Sequence, residues 1–345
     1  MVYLLIFLLF ASPVFSEVHL GLFGARNSGE HIFETGNKYP NLSGIRGGSR
    51  ITYDRNFNFF GLNAGWIHER FSLNSKLSTT GWGVRTGNSR DEDFVMGSTS
   101  TERGDKLSLF PLFLYDTAHT FTGTRNFADG NAKSTINERR ADFWLKFYFS
   151  ENAKASPWAK TNSFYLSSGV LYSYYKYELY DVIQFVASPF FYGPIGVGLS
   201  YSNTVFDFPL GLGYVFYIGK FRFDFNANLT LVYMNYRDFH KQRALNFIGT
   251  SFGSGFIYKA EISYIFSESL LINFSINGHR QFTSGTFRTK GGLTYDDVLS
   301  NYLGEYKAYI NTKEVNLEFG FIKRFNYTAP EPIIESEKQT KWWVN

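Results

Sequence analysis

FRFDFNANLTLVYMNYRDFH, residues Phe221 to His240, alternates with a period of two along most of its length. Phe221, Phe223, Phe225, Ala227, Leu229, Leu231 and Tyr233 share one parity, and Arg222, Asp224, Asn226, Asn228 and Thr230 share the other. Successive side chains of an extended chain point to opposite faces, so the spacing predicts a strand with one apolar and one polar wall. Carrying the parity onward places Met234, Tyr236, Asp238 and His240 on the polar wall. Soluble sheets rarely alternate for so long. The segment reads as a membrane-barrel strand, apolar side outward, that turns a carboxylate and an imidazole inward at its far end.

The remaining composition fits that reading. The opening run, MVYLLIFLLFASPVFS, is apolar, with Val14 and Ser16 at the small-residue positions before a cut. It predicts a secretory signal peptide over residues 1–16, because the run is shorter than the ~20 residues a helical span needs. Beyond it, no segment is long and apolar enough for a transmembrane helix. Aromatic residues make up 20% of the chain, with 38 Phe and 24 Tyr, yet mean hydropathy is only −0.20. Strands that are apolar on one side only reconcile those two values. With no cysteine, the chain has neither a disulfide framework nor a thiolate site. The net charge of +4 is spread along the sequence, so no basic block points to nucleic acid.

Taken in order, Glu17 to Glu34, Arg46 to Ile67 and Phe71 to Phe94 read as the first three strands. A long connection spans about Val95 to Thr135. Ile136–Ser150, Phe164–Tyr180, Val197–Ile218 and Phe221–His240 follow, then Phe256–Phe266, Leu270–Phe282 and Tyr306–Phe325. The apolar parity flips at Gly81-Trp82-Gly83, which marks either a bulge or the strand leaving the lipid. About ten strands, with short turns at one end and long loops at the other, form an all-β, antiparallel transmembrane β-barrel. Several strands are nearer ~20 residues than the ~10 needed to cross, so the barrel is expected to stand well above the outer membrane. Its domain plan is a signal peptide (1–16), a barrel (17–325) and a C-terminal extension (326–345). Ten strands leave an interior that side chains nearly fill, which argues against a wide pore.

Two short pairs carry the candidate chemistry. Asp91 and Asp93 stand at the upper end of the third strand, and Asp238 and His240 at the upper end of the seventh. A spacing of two puts both members of a pair on one face, about 7 Å apart along the strand. A metal site of these four residues is conceivable from their ligand chemistry. His19, His31, His68, His119 and His279 show no metal-ligand spacing and read as lumen or loop residues.

The Asp-x-Asp-aromatic and Asp-x-His pairs, at those places, resemble the omptin family of outer-membrane endopeptidases. SRITYD, NAGWIHER, TGWGVRTGNSRDEDF, FPLGLGYVFYIGKF and EVNLEFGFIKRF resemble the family's corresponding segments in the same order, from about Leu20 to Phe325. The resemblance implies that Asp91, Asp93, Asp238 and His240 are catalytic and face each other across an acidic groove with a water between them. It also implies polypeptide substrates cut near basic residues, with Glu30 as an acidic substrate contact. The second such contact falls at Tyr236, a departure that relaxes or shifts selectivity. No cofactor is implied, but lipopolysaccharide bound to the outer wall is expected as an activator and membrane partner, with no nucleic acid. Lys176 among Tyr172, Tyr174 and Tyr177 matches the lipopolysaccharide contacts only loosely. A non-catalytic barrel, acting as a small pore or as an adhesin, is the alternative.

Overall fold

The computed structural model describes residues 17–37, 46–102, 119–149, 155–186, 191–192, 196–303 and 306–325. The expected signal peptide, the C-terminal extension and residues 103–118 of the long connection lie outside the described residues.

Antiparallel strands form a closed ring. β1 (Glu17–Asn37) is followed by β2 (Arg46–Asp54) and β3 (Phe57–His68), which form one wall interrupted at Arg55-Asn56. β4 (Phe71–Thr79) and β5 (Val84–Met96) form the next wall, interrupted around Gly81-Trp82-Gly83. Short β6 (Thr101–Glu102) and β7 (Phe121–Thr122) pair with each other in the connection that follows. The other long walls are β8 (Arg125–Tyr148), β9 (Ser163–Val186), β11 (Val197–Ile218), β12 (Phe221–His240), β13 (Leu245–Ile265), β14 (Leu270–Gly291) and β15 (Tyr306–Phe325). β10 (Phe191–Tyr192) is a short addition to β9, and α1 (Tyr295–Leu303) sits between β14 and β15. β15 pairs with β1 from Val18↔Phe325 to Asn37↔Tyr306 and closes the ring. Counting each interrupted wall once gives ten walls, so the expected barrel and its strand number hold.

The period-two pattern of β12 is realised throughout: Arg222, Asp224, Asn226, Asn228, Thr230, Met234 and Asp238 are buried, while Phe225, Leu231 and Tyr233 are exposed. Leu22, Leu62, Leu210, Phe274 and Phe319 share the exposed outer face on other strands. Together they form the apolar belt that meets lipid tails in place of water. Trp82 is 93% exposed beside that belt. At the lower end, β11 turns into β12 through Gly219-Lys220, where Gly219 takes φ +62, a conformation costly for a side chain bearing Cβ.

Several expected boundaries change. β8 begins at Arg125, so the connection expected over Val95 to Thr135 is only the stretch between Met96 and Arg125. β13 begins at Leu245, β14 runs to Gly291, and β9 continues to Val186. These additions all lie above the belt, where outward-facing side chains need not be apolar and the alternation disappears from the sequence. The parity flip at Gly81–Gly83 is a true break between β4 and β5, with a further register irregularity between Arg85 and Gly87.

The connection before β8 also has a task. Phe121 packs on the outside of the wall with Phe94, Met96 and Tyr309, and Thr120 N–H donates to Glu34 Oε2 at 2.6 Å. Arg50 holds the assembly together, donating to Glu34 Oε1 at 2.7 Å and to the Phe121 carbonyl at 2.8 Å. The buried charge of Arg50 is thereby matched by a carboxylate and a carbonyl.

Candidate active site at the barrel mouth

Side chains enter the lumen in layers beneath the candidate site. Lowest, Arg222 joins Asp224 at 2.6 Å and Glu261 at 2.9 Å, and Lys146 joins Asp224 at 3.0 Å. Higher, Arg55 pairs with Glu138 and Glu314, each at 2.8 Å. Above that layer is an aromatic plug of Tyr53, Tyr175, Tyr177, Tyr201 and Tyr236 with His31 and Phe33. The Tyr53 and Tyr177 rings stack at 4.3 Å, and Phe33 meets Tyr201 at 5.0 Å and Tyr236 at 5.2 Å. The plug is dry: Tyr53, Tyr177 and Tyr201 are each 0% exposed.

The two expected pairs sit on this plug. On β12, His240 Nε2 lies 3.1 Å from Asp238 Oδ2. With Nε2–H donating to the carboxylate, the other ring nitrogen keeps its lone pair. Burial works against the charged imidazole, but Asp238 outweighs it and raises the His240 pKa, with Asp91 adding to the effect. Across the mouth on β5, Asp91 lies opposite Ile51 and Asp93 opposite Ser49 of β2. Burial and then the Asp93 charge push the Asp91 carboxyl up to about 7, against the pull of His240. Burial likewise raises Asp93, while a hydrogen bond from Ser49 and the His240 charge oppose it. Both pairs thus lie on the lumen side of one mouth, within electrostatic reach of each other. Close carboxylates in a poorly solvated site share a proton and titrate as a unit. Among the described residues, no three His, Asp or Glu side chains are arranged to hold a metal ion.

The two expected substrate contacts behave differently. Glu30 is not in the mouth; it lies on the outer wall and pairs with Lys313 at 2.9 Å. The reason is parity, because β1 buries Phe23, Ala25, Asn27, His31 and Phe33 inside and sends the even positions Leu20, Leu22 and Glu30 outward. His31 takes the inward place, 0% exposed, with Nδ1 2.8 Å from Thr312 Oγ1. Burial, and then Arg55, keep its pKa well below the ordinary histidine value, so it is a neutral ring of the plug. Tyr236 does face inward, 1% exposed, and its hydroxyl donates to the Thr286 carbonyl at 3.2 Å.

Two features had not been singled out in the sequence, an apolar ledge and Tyr53, while His31 is a lumen residue, one of the two places its sequence reading allowed. Phe247 lies 5.0 Å from the His240 ring and continues into Phe287 at 5.5 Å and Tyr306 beyond it at 4.8 Å, forming an apolar ledge beside the imidazole. Tyr53 and His31 occupy the floor. The inward parity of each follows from its own strand, but only the folded register brings them under the carboxylates.

Fold and site together define an outer-membrane β-barrel whose lumen is lined with inward-pointing side chains and whose mouth carries an Asp-Asp pair and an Asp-His pair. The chain belongs to the family whose model, described as "Putative porin", matches residues 38–319. Among solved structures it is similar to the outer membrane protease OmpT from Escherichia coli, at 11% identity and a TM-score of 0.60, over 90% of this chain and 97% of that one. At that identity the likeness is one of fold alone. It is also similar to the translocator domain of the autotransporter NalP from Neisseria meningitidis, at 9% identity and a TM-score of 0.37, covering 90% and 89% of the two chains. The transport unit of the autotransporter AIDA-I from Escherichia coli gives 9% identity and a TM-score of 0.35, covering 92% and 94%. No curated protein sequence matches the chain.

Proposed function

We propose that this protein is an endopeptidase of the outer membrane that hydrolyses polypeptides with a water molecule, its mouth open to the outside. The observation that carries the reading is the Asp238–His240 hydrogen bond of 3.1 Å held within the field of Asp91 and Asp93. An imidazole oriented by a carboxylate is a general base. His240 takes a proton from water as the water oxygen bonds to the peptide carbonyl carbon. It then returns that proton to the amide nitrogen as the C–N bond breaks. Asp91, which holds a proton near neutral pH, and Asp93 position the reactants and stabilise charge in the transition state. No covalent enzyme intermediate is required.

Substrate choice follows from what surrounds these groups. The carboxylates of the mouth attract cationic peptides, but Glu30 lies outside and Tyr236 is neutral, so no dedicated acidic pocket fixes a basic residue. The ledge of Phe247, Phe287 and Tyr306 offers an apolar surface beside the scissile bond. Lipopolysaccharide on the outer wall is the activating partner in this reading.

The test is cleavage of a quenched fluorescent peptide library by the refolded full chain with lipopolysaccharide, beside Asp91→Ala and His240→Ala. Cleavage by wild type is expected, with each substitution lowering kcat/KM by roughly 10³-fold or more. Product sites should show a broader preference than strict cleavage at Arg or Lys. A well-folded wild-type barrel that cuts no peptide would sink the proposal.

A further inference from the structure

The loop that follows His240 carries a cation into the acidic mouth. His240 pairs with Leu245, so residues 241–244 close a hairpin loop between β12 and β13. Lys241–Arg243 make a single 3₁₀ turn with His240 as its N-cap, and Ala244 ends it in the left-handed region at φ 48. Positions three apart lie above one another in such a turn, which brings Arg243 back over His240. Lys241 turns aside to Glu178 at 3.7 Å. The Arg243 guanidinium is clamped on one side, where Nη2 donates to Asp297 Oδ1 of α1. Asp297 is in turn held by Thr294: the Thr294 N–H donates to Asp297 Oδ2 at 3.3 Å, and the Asp297 N–H to Thr294 Oγ1 at 3.2 Å. Loop and helix are tied again by the Gly292 N–H donating to the Ala244 carbonyl at 3.1 Å and by Asn301 Nδ2 donating to the Gly291 carbonyl at 2.9 Å. The Asp297 side chain is 1% exposed, whereas that of Arg243 is 54% exposed. Nε and Nη1 of Arg243 make no hydrogen bond among the described residues. The charge of Arg243 is felt at both His240 and Asp93.

A guanidinium fixed on one side and open on the other is preorganised to receive a carboxylate. We propose that Arg243 binds a carboxylate of the polypeptide substrate beside the scissile bond, so that the mouth selects an acidic group close to an apolar residue. The apolar residue is the one that rests on the ledge. The bridge from the β12–β13 loop to α1 spans the tops of β13 and β14, the strands whose Phe247 and Phe287 form that ledge. The two walls of the mouth then have opposite preferences: Asp91 and Asp93 draw a cation and repel an anion, and Arg243 does the reverse. A peptide with separated charges has one favoured direction across the groove. The carboxylate is that of an Asp or Glu side chain or that of the chain's C-terminus, which present the same two oxygens. Arg243 is a specificity residue, and no bond or proton changes hands at it. The effect on cleavage rests on the peptidase reading, whereas the carboxylate site itself does not.

The experiment uses the refolded full chain with lipopolysaccharide and peptides of one apolar sequence. Glu, Gln or Lys is scanned through the positions on either side of a central Phe, each peptide with a free and an amidated C-terminus. Cleavage is compared for wild type, Arg243→Ala and Arg243→Lys, and binding is read by fluorescence anisotropy for the same three in a His240→Ala background. At one position Glu should be favoured over Gln by about tenfold, the scale of one half-exposed charge-assisted hydrogen bond, and the difference should lie mainly in KM. Arg243→Ala should level Glu and Gln while still cleaving both, which a misfolded barrel would not do. Arg243→Lys keeps the charge without the fork and should retain part of the preference. A preference that follows the free C-terminus instead of Glu, and is lost in Arg243→Ala, supports the site and assigns the carboxylate to the chain end. If wild type cleaves nothing but carboxylate peptides bind more tightly in an Arg243-dependent way, the peptidase reading falls and the carboxylate site stands. Equal affinity for all the peptides, or a carboxylate preference that survives Arg243→Ala, overturns the inference.

Discussion

At the scale of single residues, the site is built from charges held where they are uncomfortable. Asp91 titrates near 7 when folded, against roughly 4 for a free aspartate. A carboxyl with a raised folded pKa stabilises nothing by ionising. The unfolded chain releases its proton first, so stability falls as pH rises from about 4 to about 7 and the penalty stays in place above that. Asp91→Asn removes the penalty. Thermal unfolding in detergent should show the variant level with wild type at pH 4 and more stable at pH 8, by on the order of 2 kcal/mol. Equal unfolding midpoints at both pH values would mean that Asp91 is solvated and ordinary. The same scale shows what the sequence disclosed. The β12 parity placed Asp238 and His240 inside, and it is obeyed. The parity of β1, set by Leu20 and Leu22, already sent Glu30 outward and His31 inward. Glu30 was assigned to the substrate by family resemblance, against its own strand's pattern. Tyr53 was invisible for a different reason: its importance depends on which strands pair and at what register, and no local pattern encodes that.

At the scale of elements, each strand carries two environments in series. Below, outward residues meet lipid and must be apolar; above, they meet water or the connecting segment between β5 and β8 and are free to be polar. This explains why the lower halves of β11, β12 and β15 could be bounded from sequence to the residue, while the upper parts of β8, β13 and β14 were missed. In β13, Thr250 and Phe252 are both exposed, but only the second has to be apolar. The division makes a direct prediction on one strand. Phe225 and Asn235 both face outward on β12, one within the apolar belt and the other above it. Phe225→Lys should cost roughly 2–4 kcal/mol of folding stability in lipid vesicles, as expected for a cation near the midplane. Asn235→Lys should stay within about 0.5 kcal/mol of wild type, like other surface changes. Equal costs, measured by reversible urea unfolding, would place the membrane at the wrong height on the barrel.

At the scale of the whole molecule, the family description and the packed lumen pull in different directions. A pore needs a continuous water column, and here two ionic layers narrow the lumen and an aromatic plug stands across it. The lowest is the Arg222–Asp224–Glu261 network, and Arg55 with Glu138 and Glu314 forms the next. The plug of fully buried tyrosines closes the top. Below that plug, the lumen keeps a cavity of about 230 Å³ among charged side chains, including Arg55, Lys76, Asp142 and Glu261, so water inside the barrel meets a dry aromatic stopper rather than an exit. The ionic layers resist opening for an energetic reason. Separating Arg55 from Glu138 and Glu314 would leave its buried charge unpaired, although Arg140 keeps hold of both carboxylates, and breaking one buried pair costs about 3–5 kcal/mol. The plug is held by ring packing and by hydrogen bonds to its tyrosines rather than by ion pairs, so it is the layer whose removal opens the upper lumen. In planar bilayers, wild-type protein should therefore give no stepwise ionic conductance. Tyr53→Ala/Tyr177→Ala/Tyr201→Ala, which deletes the three stacked rings and frees Arg55 of its tyrosine acceptor, should give small, flickering steps. Those steps should grow further when Arg55→Ser and Glu138→Ser are added together. Large ohmic steps from wild type would show that the layers part in the membrane, and the mouth residues would then be the lining of a channel rather than a site for hydrolysis.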